Sequence, residues 1–388
     1  MLQTRNLIKS SLRREAWLEI NLTSLEYNLD QIKSWINLNK TQIMAVLKSD
    51  AYGNGAIPVA EVLIAKGIKW FAVASIDEAI ALRNLNNEIS ILILGPIPNW
   101  SIITAAEHNI DLTLTSYAQI KSMLNYINNK KISLNIHLKI DSGMHRLGIN
   151  PQEITTIVNL ITANPYLKLV SIFSHLALAH DYKKCHKQFQ TFTNCLKIYP
   201  CTALPITHLA SSQAIRLFKF THLDMVRSGL YLYGLEPCNY STDLKPILSL
   251  KARINQIMTV SKDEGVGYDF TYILKRDSLL AVIPIGYADG IDRGLSNKLQ
   301  GLINGKIIQQ IGLISMDQMI FDITNTNDVS LGDVIELITD VHPNPINSTI
   351  NPFSLAHWAN LLNTSTYELS TRLNGRLPKM YIRNTNVS

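Results

Sequence analysis

Cysteine is scarce in this chain: Cys185, Cys195, Cys201 and Cys238 are the only four in 388 residues, with no C-x-x-C pair and no histidine cluster at zinc-ligand spacing. That argues against a disulfide framework and against a metal centre, and leaves reduced structural thiols as the reading. Long apolar runs are missing too, so no segment reads as a membrane span. The basic start MLQTRNLIKSSLRREAW has too short an apolar stretch for a secretory signal. A cytoplasmic location is therefore expected, with residues 1–14 a short solvated extension. Charged residues make up only 17%, and the formal net charge of +6 is dispersed rather than gathered into a basic stripe interleaved with aromatics. Nucleic acid is thus not an expected partner, whereas a mild positive field suits small anions.

What is present is apolar: 46% of the residues are hydrophobic, enough for a large core, and the length suggests two domains. From Ile43 to about Met225, short apolar, β-branched runs alternate with longer amphipathic stretches. Eight such runs occur: IMAVL, WFAVA, ISILIL, IDLTL, SLNIHLKI, LKLVSIFS, PITHL and HLDMV. Between them, helices are expected from Ile57 to Lys66, closed by Gly67, and from Ile76 to Leu85, capped by Ser75. Eight strands with intervening helices in this length fit a (β/α)8 TIM-type barrel, an α/β fold, over residues 15–245.

Ahead of the barrel, AWLEINL alternates like a strand, and Leu25, Leu29, Ile32 and Ile36 recur at helical spacing. After about Pro246 the texture changes to LSLKARINQIMTV, LLAVIPI, LINGKIIQQI, MDQMIFDI and VIELI, with Asn304-Gly305 a hairpin-turn signal. Residues 246–388 read as a mainly antiparallel β-domain, interrupted by a helix at Ser354 to Leu362. The early strand at 16–21 is expected to pair into that sheet.

Active sites of eight-stranded barrels are built at the carboxyl ends of the strands. Lys48 follows the first run directly, Lys139 ends the fifth with Arg146 in the loop beyond, His175 follows the sixth, Ser212 the seventh, and Arg227 ends the eighth. A lysine at such a mouth is poorly hydrated; desolvation lowers its pKa and frees the amine to attack an aldehyde. A strand-end lysine reaching back to solvent is the plain alternative. Ser212, Gly229 and Leu230 lie where a hydroxyl and backbone N–H groups can cradle a phosphate, and His175 in SHLALAHD reads equally well as a core histidine.

Taken in order, AVLKSDAYGNG, LKIDSGMHRLGI, HLASSQA, MVRSGLYLYGL, GVGYDFTY, IPIGYADG and SMDQM resemble the motif series of bacterial alanine racemases, from about Ala16 to Tyr381. The resemblance implies a fold-type III pyridoxal 5′-phosphate enzyme that racemises alanine by a two-base mechanism, supplies D-alanine for peptidoglycan, and pairs head to tail as a homodimer with shared sites. It makes Lys48 the cofactor lysine and one catalytic base, and Tyr268, delivered by the second subunit, the other. Tyr52, Ser212 and the backbone of Gly229 and Leu230 become the phosphate contacts. Arg227 faces the pyridine nitrogen, and His175 links Arg227 to the tyrosine. Arg146 and the backbone of Met316 hold the substrate carboxylate, while Lys139 matches a lysine that is carbamylated in relatives. Departures fall at Ser228 in place of proline, Asp269 in place of glycine, Leu313 in place of a basic residue and Gly375 in place of tyrosine. Two other readings stay open: a serine or broader-specificity racemase of the same fold, and a non-catalytic pyridoxal-phosphate binding protein.

Overall fold

A computed structural model of the chain describes residues 13–199, 203–235, 243–340, 351–373 and 375–383. Cys201, Cys238 and most of the expected N-terminal extension lie outside these residues. The chain forms two compact units, residues 28–232 and a second made of both ends, 1–27 with 233–388. The expected borders at 15 and 245 differ from these, and hydrogen bonding accounts for the first difference. Strand Ala16–Asn21 pairs antiparallel with Leu248–Arg253 and parallel with Lys379–Ile382, so its backbone partners all lie in the C-terminal sheet.

Within residues 28–232, eight parallel strands close a barrel in chain order: Gln42–Val46, Trp70–Val73, Ser90–Ile93, Asp111–Leu114, Leu134–Lys139, Leu167–Phe173, Ile206–His208 and Met225–Ser228. Each overlaps one of the eight runs in the sequence, the eighth only at Met225 and Val226. Closure is direct, since Gln42, Ile43 and Met44 stand opposite Met225, Val226 and Arg227. Side chains alternate along each strand, and Met44, Val46, Ala72, Leu92 and Met225 pack together as one buried cluster.

Local chemistry sets the connecting helices. In Ile76–Leu85, the Ser75 side chain accepts from the Glu78 N–H while the Glu78 carboxylate accepts from the Ser75 N–H, a reciprocal cap worth about 1 kcal/mol. Gly67 ends the preceding helix, Ala56–Ala65, at φ 86°. Cys185 and Cys195 are buried free thiols, and burial pushes Cys185 up to about 11, as expected of structural cysteines.

The second unit carries a nine-stranded sheet among its described residues. Its order is Gln256–Val260, Ser278–Ile283, Met319–Asp322, Lys306–Ile311, Gln300–Ile303, Val334–Ile338, Leu248–Arg253, Ala16–Asn21 and Lys379–Ile382. All neighbours are antiparallel except the last pair. Asn304 and Gly305, both at positive φ, turn the tight hairpin between Ile303 and Lys306. Helix Leu355–Leu362 starts at the Ser354 cap, as its sequence suggests; a further helix, Thr366–Arg372, follows it.

Candidate active site

Directly after the first barrel strand, Lys48 opens a turn in which Ser49, Asp50, Ala51 and Tyr52 all sit at φ 53–57°. Four successive left-handed residues cost on the order of 1–2 kcal/mol each, so the turn survives only because its surroundings over-determine it. Ser49 N–H donates to Glu78 Oε1 at 2.7 Å, and Ala56 N–H donates to Asp50 Oδ1 at 2.7 Å. Gly53 N–H closes on the Ser49 carbonyl at 2.9 Å. Glu78 therefore caps its own helix and also grips the turn that presents Lys48. The capping signal was legible in the sequence; the grip, which spans 29 positions, was not.

The turn sets the Tyr52 ring 6.0 Å from Lys48 Nζ and lays its phenol on Gly229, where a Cβ would stand 2.8 Å from the hydroxyl. Ser212 Oγ accepts from Gly229 N–H at 3.3 Å and from Tyr231 N–H at 3.4 Å. Gly229 and Tyr231 thus share Ser212, and the chain turns there with Leu232 N–H on the Gly229 carbonyl. The outcome is a compact group of two hydroxyls and turn amides around a position where no side chain fits.

Four cations meet at the same mouth. Lys48 is lowered from the usual lysine value by burial and then by the charge of Arg146, with Glu78 opposing. Lys139, at the end of the fifth strand, is pushed down to about 8 by burial and by Arg146, Arg227 and Lys48. Its Nζ lies 5.7 Å from the Phe173 ring centroid. Arg146 is carried on a loop shaped by Asp141, whose Oδ1 accepts from the N–H groups of Gly143, Met144 and His145 at 2.9–3.0 Å. The loop closes where Gly148, at φ 139°, packs so tightly on the Asp141 backbone that a Cβ would overlap it.

Arg227 is buried in the eighth strand and donates to four acceptors. Its Nη1 reaches His208 Nδ1 at 2.7 Å; its Nη2 reaches the Ser174 carbonyl at 2.7 Å, the Leu209 carbonyl at 3.1 Å and His175 Nδ1 at 3.2 Å. Burial pushes the guanidinium down to about 9, so it stays charged at neutrality. Burial, Arg227 and the other three cations lower His175 well below the usual histidine value. With Nδ1 accepting, neutral His175 carries its proton on Nε2 and can offer it to a further group. His208 is the residue that sequence reading missed. Its only sequence signal was its place in the inward alternation of a barrel strand, a position normally read as core.

Lys139 provides a test in solution. Below pH 8 its buried ammonium weakens the fold; between about 8 and 10.5 the native state has shed a proton that the unfolded chain still holds. Stability contributed by this group therefore rises with pH across that window. In buffer free of carbon dioxide, the wild-type chain is expected to gain melting temperature relative to Lys139→Met from pH 8 to 10. Parallel profiles would mean that the amine is not desolvated.

In the second unit, Tyr268 sits on a short hairpin between Gly265–Val266 and Tyr272–Ile273 and is 66% exposed. Asp269 takes φ 58° there, the conformation for which glycine is the usual choice. Met316 is 52% exposed, and its N–H meets no acceptor among the described residues. Its carbonyl accepts from Ala288 N–H and the Ser315 carbonyl from Tyr287 N–H, both at 3.0 Å. The segment 284–290 that supports Met316 is pinned by Asp289, whose buried carboxylate takes Arg14 at 2.5 and 2.7 Å and Gly286 N–H at 3.0 Å.

The donor set at the barrel mouth fits an anionic aldehyde cofactor such as pyridoxal phosphate. A cluster of mutually destabilising cations seeks negative charge, the hydroxyl and amide group fits a phosphate, and Lys48 is the depressed amine beside it. Among the described residues no group of three or more His, Cys, Asp or Glu side chains is placed to hold a metal ion, and no helix is long and apolar enough to cross a membrane.

The alanine racemase N-terminal domain model matches residues 20–237 and the alanine racemase C-terminal domain model matches residues 247–381. The chain is 37% identical to the alanine racemase of a Synechocystis species, over 96% of this chain and all of that one. Among solved structures it resembles alanine racemase from Bacillus anthracis with bound L-Ala-P, with a TM-score of 0.87, 31% identity and 96% of both chains covered. It is also similar to alanine racemase from Bartonella henselae with covalently bound pyridoxal phosphate, with a TM-score of 0.84, 29% identity, and 95% of this chain and 99% of that one covered.

Proposed function

This chain belongs to the alanine racemase family and is an amino-acid racemase that interconverts L- and D-alanine; we propose that it does so with pyridoxal 5′-phosphate on Lys48 and with Tyr268 of a second copy as the opposing base. The observation that carries this reading is the convergence of a desolvated Lys48, the Tyr52–Ser212–Gly229 cradle and the Arg227–His175 pair at one end of the barrel. Bound there, the cofactor supplies a conjugated ring that draws electron density from the substrate Cα and makes its proton acidic.

Inversion needs one group to take the Cα proton and another to return one from the opposite face. Lys48 Nζ serves one face, since burial keeps its amine easier to deprotonate than a surface lysine. Tyr268 Oη of the second copy serves the other, with the His175 Nε2 proton available to donate to it. Arg146 and the Met316 N–H take the substrate carboxylate. Lys139, whose neutral form is within reach near pH 8, is the lysine that takes up carbon dioxide as a carbamate and so balances Arg146. The shared site requires a head-to-tail dimer, and the product serves cell-wall synthesis in the cytoplasm.

Arg227 can only donate and holds its protons more tightly than a pyridinium would, so it cannot readily pass one to the ring nitrogen of a bound cofactor. Arg227 would thereby leave the nitrogen of a bound pyridine ring unprotonated and the ring a weaker electron sink, which would favour return of the proton at Cα over transamination. Arg227→Glu is expected to raise the ratio of transamination to racemisation at least tenfold. Pyruvate release measured against racemisation checks it, and an unchanged ratio removes this role from Arg227. For the cofactor itself, borohydride treatment of the holoenzyme followed by peptide mass analysis should place the pyridoxyl group on Lys48; a label elsewhere ends the assignment. The second base on a separate domain is what a non-catalytic binding protein does not need, and it favours the racemase reading over that one.

A further inference from the structure

Part of the barrel interior is polar. Opposite the Met44, Val46, Ala72, Leu92 and Met225 cluster, inward positions of the fourth to seventh strands carry Asp111, Asn135, His137, Ser171 and His208. Barrels are normally filled by branched aliphatic side chains, and a buried polar set is costly unless every member is satisfied. Here they are joined in one line. Asn135 Nδ2 donates to Asp111 Oδ1 at 2.8 Å, and His137 Nε2 meets Asp111 Oδ2 at 3.0 Å. His137 Nδ1 meets Ser171 Oγ at 2.6 Å, Ser171 Oγ meets His208 Nε2 at 2.9 Å, and His208 Nδ1 meets Arg227 Nη1 at 2.7 Å. Both imidazoles are fully buried.

The two ends of this line decide every proton between them. Arginine can only donate, so His208 Nδ1 accepts and its proton sits on Nε2. That proton goes to Ser171 Oγ, whose own hydrogen must then go to His137 Nδ1. His137 is left with its proton on Nε2, facing a carboxylate that can only accept. The reverse arrangement would set an N–H of His208 against an N–H of Arg227. Burial, then Arg227 and His137, lowers His208 well below the usual histidine value, in keeping with a neutral ring. The Phe173 ring, stacked on His208 at 4.7 Å and lying 5.3 Å from the Arg227 guanidinium carbon, holds the plane of the imidazole.

We infer that Asp111, His137 and Ser171 are positioning residues for the reaction: through His208 they form a one-directional hydrogen-bond line that holds the Arg227 fork in place from inside the barrel. The inference rests on the reading of Arg227 given above. Asp111 is the anchor, because it is the group that forbids the opposite polarity. An amide there leaves Asn135 and His137 competing for one oxygen, and its own N–H groups favour the reversed line.

The test is Asp111→Asn, which is nearly isosteric, with Ser171→Ala carrying the same readouts should Asp111→Asn not fold. Histidine-selective 15N spectra of the cofactor-free protein should show a pyridine-like Nδ1 and a protonated Nε2 on His208 in the wild type. The variant should shift the His208 Nδ1 resonance. In the holoenzyme, kcat should fall roughly ten- to a hundredfold with KM for alanine changed far less, and transamination should rise relative to racemisation. A wild-type His208 protonated on Nδ1, or a His208 resonance unmoved in the variant, overturns the inference whatever happens to activity. A moved resonance with unchanged kcat and unchanged partition overturns the positioning role. Failure of the functional reading would look different, as a wild-type protein that does not racemise alanine at all.

Discussion

Replacing Lys48 with alanine is expected to lower kcat/KM for alanine racemisation by at least about 10⁴-fold, because one substitution removes both the nucleophile that holds the cofactor and a proton carrier. The loss should not come from unfolding. Lys48 is a partly buried cation whose charge is disfavoured by burial and by Arg146, with Glu78 opposing, and removing such a charge relieves the fold rather than weakening it. The melting temperature of the cofactor-free Lys48→Ala variant should therefore equal or exceed that of the cofactor-free wild type. Circular dichroism of L-alanine over time gives the rate. Residual activity within tenfold of wild type would show that another amine carries the chemistry.

Tyr268→Phe is expected to cost roughly 10²- to 10⁴-fold in racemisation, with a signature that the lysine variant lacks. With one face still served by Lys48, exchange of the Cα proton for solvent deuterium should persist from one enantiomer of alanine and vanish from the other. Exchange that survives equally from both enantiomers would remove Tyr268 from the mechanism. Because the phenol is proposed to come from the second copy, mixing the two variants is also informative. A heterodimer of Lys48→Ala and Tyr268→Phe holds one site with both groups intact and one with neither. Random mixing of subunits should then restore about a quarter of wild-type activity. No recovery from confirmed heterodimers would mean that each site draws both bases from one chain.

The departures from the family pattern bear on these numbers unequally. Asp269 adopts the left-handed conformation that glycine would take at no strain, so the hairpin carrying Tyr268 is built with a residue that pays a small conformational cost. Ser228 is fully buried and its hydroxyl finds no partner among the described residues. The structure offers no account of why serine stands there.

Much of the architecture follows from short-range pattern. Eight apolar runs, each five to eight residues long and separated by helical spacing, reappear as the eight barrel strands, and Ser75, Gly67, Ser354 and Asn304-Gly305 punctuate the chain where their local chemistry requires. Lys48, Lys139, His175, Ser212 and Arg227 were legible for a related reason: a strand end is a position along the chain, and the barrel turns that position into a place at its mouth.

What only the tertiary structure decided are relations between distant residues. Neither Glu78 holding the turn after Lys48 across 29 positions nor Asp111 reaching toward Arg227 through His137, Ser171 and His208 leaves a periodic trace in the sequence. Inward alternation marks those histidines as core; it cannot say that their neighbours across the barrel are polar and matched donor to acceptor. Periodicity and turn chemistry are local properties and are written along the chain. Hydrogen-bond direction inside a closed barrel depends on which strands become neighbours and in what register, and that exists only once the chain has folded.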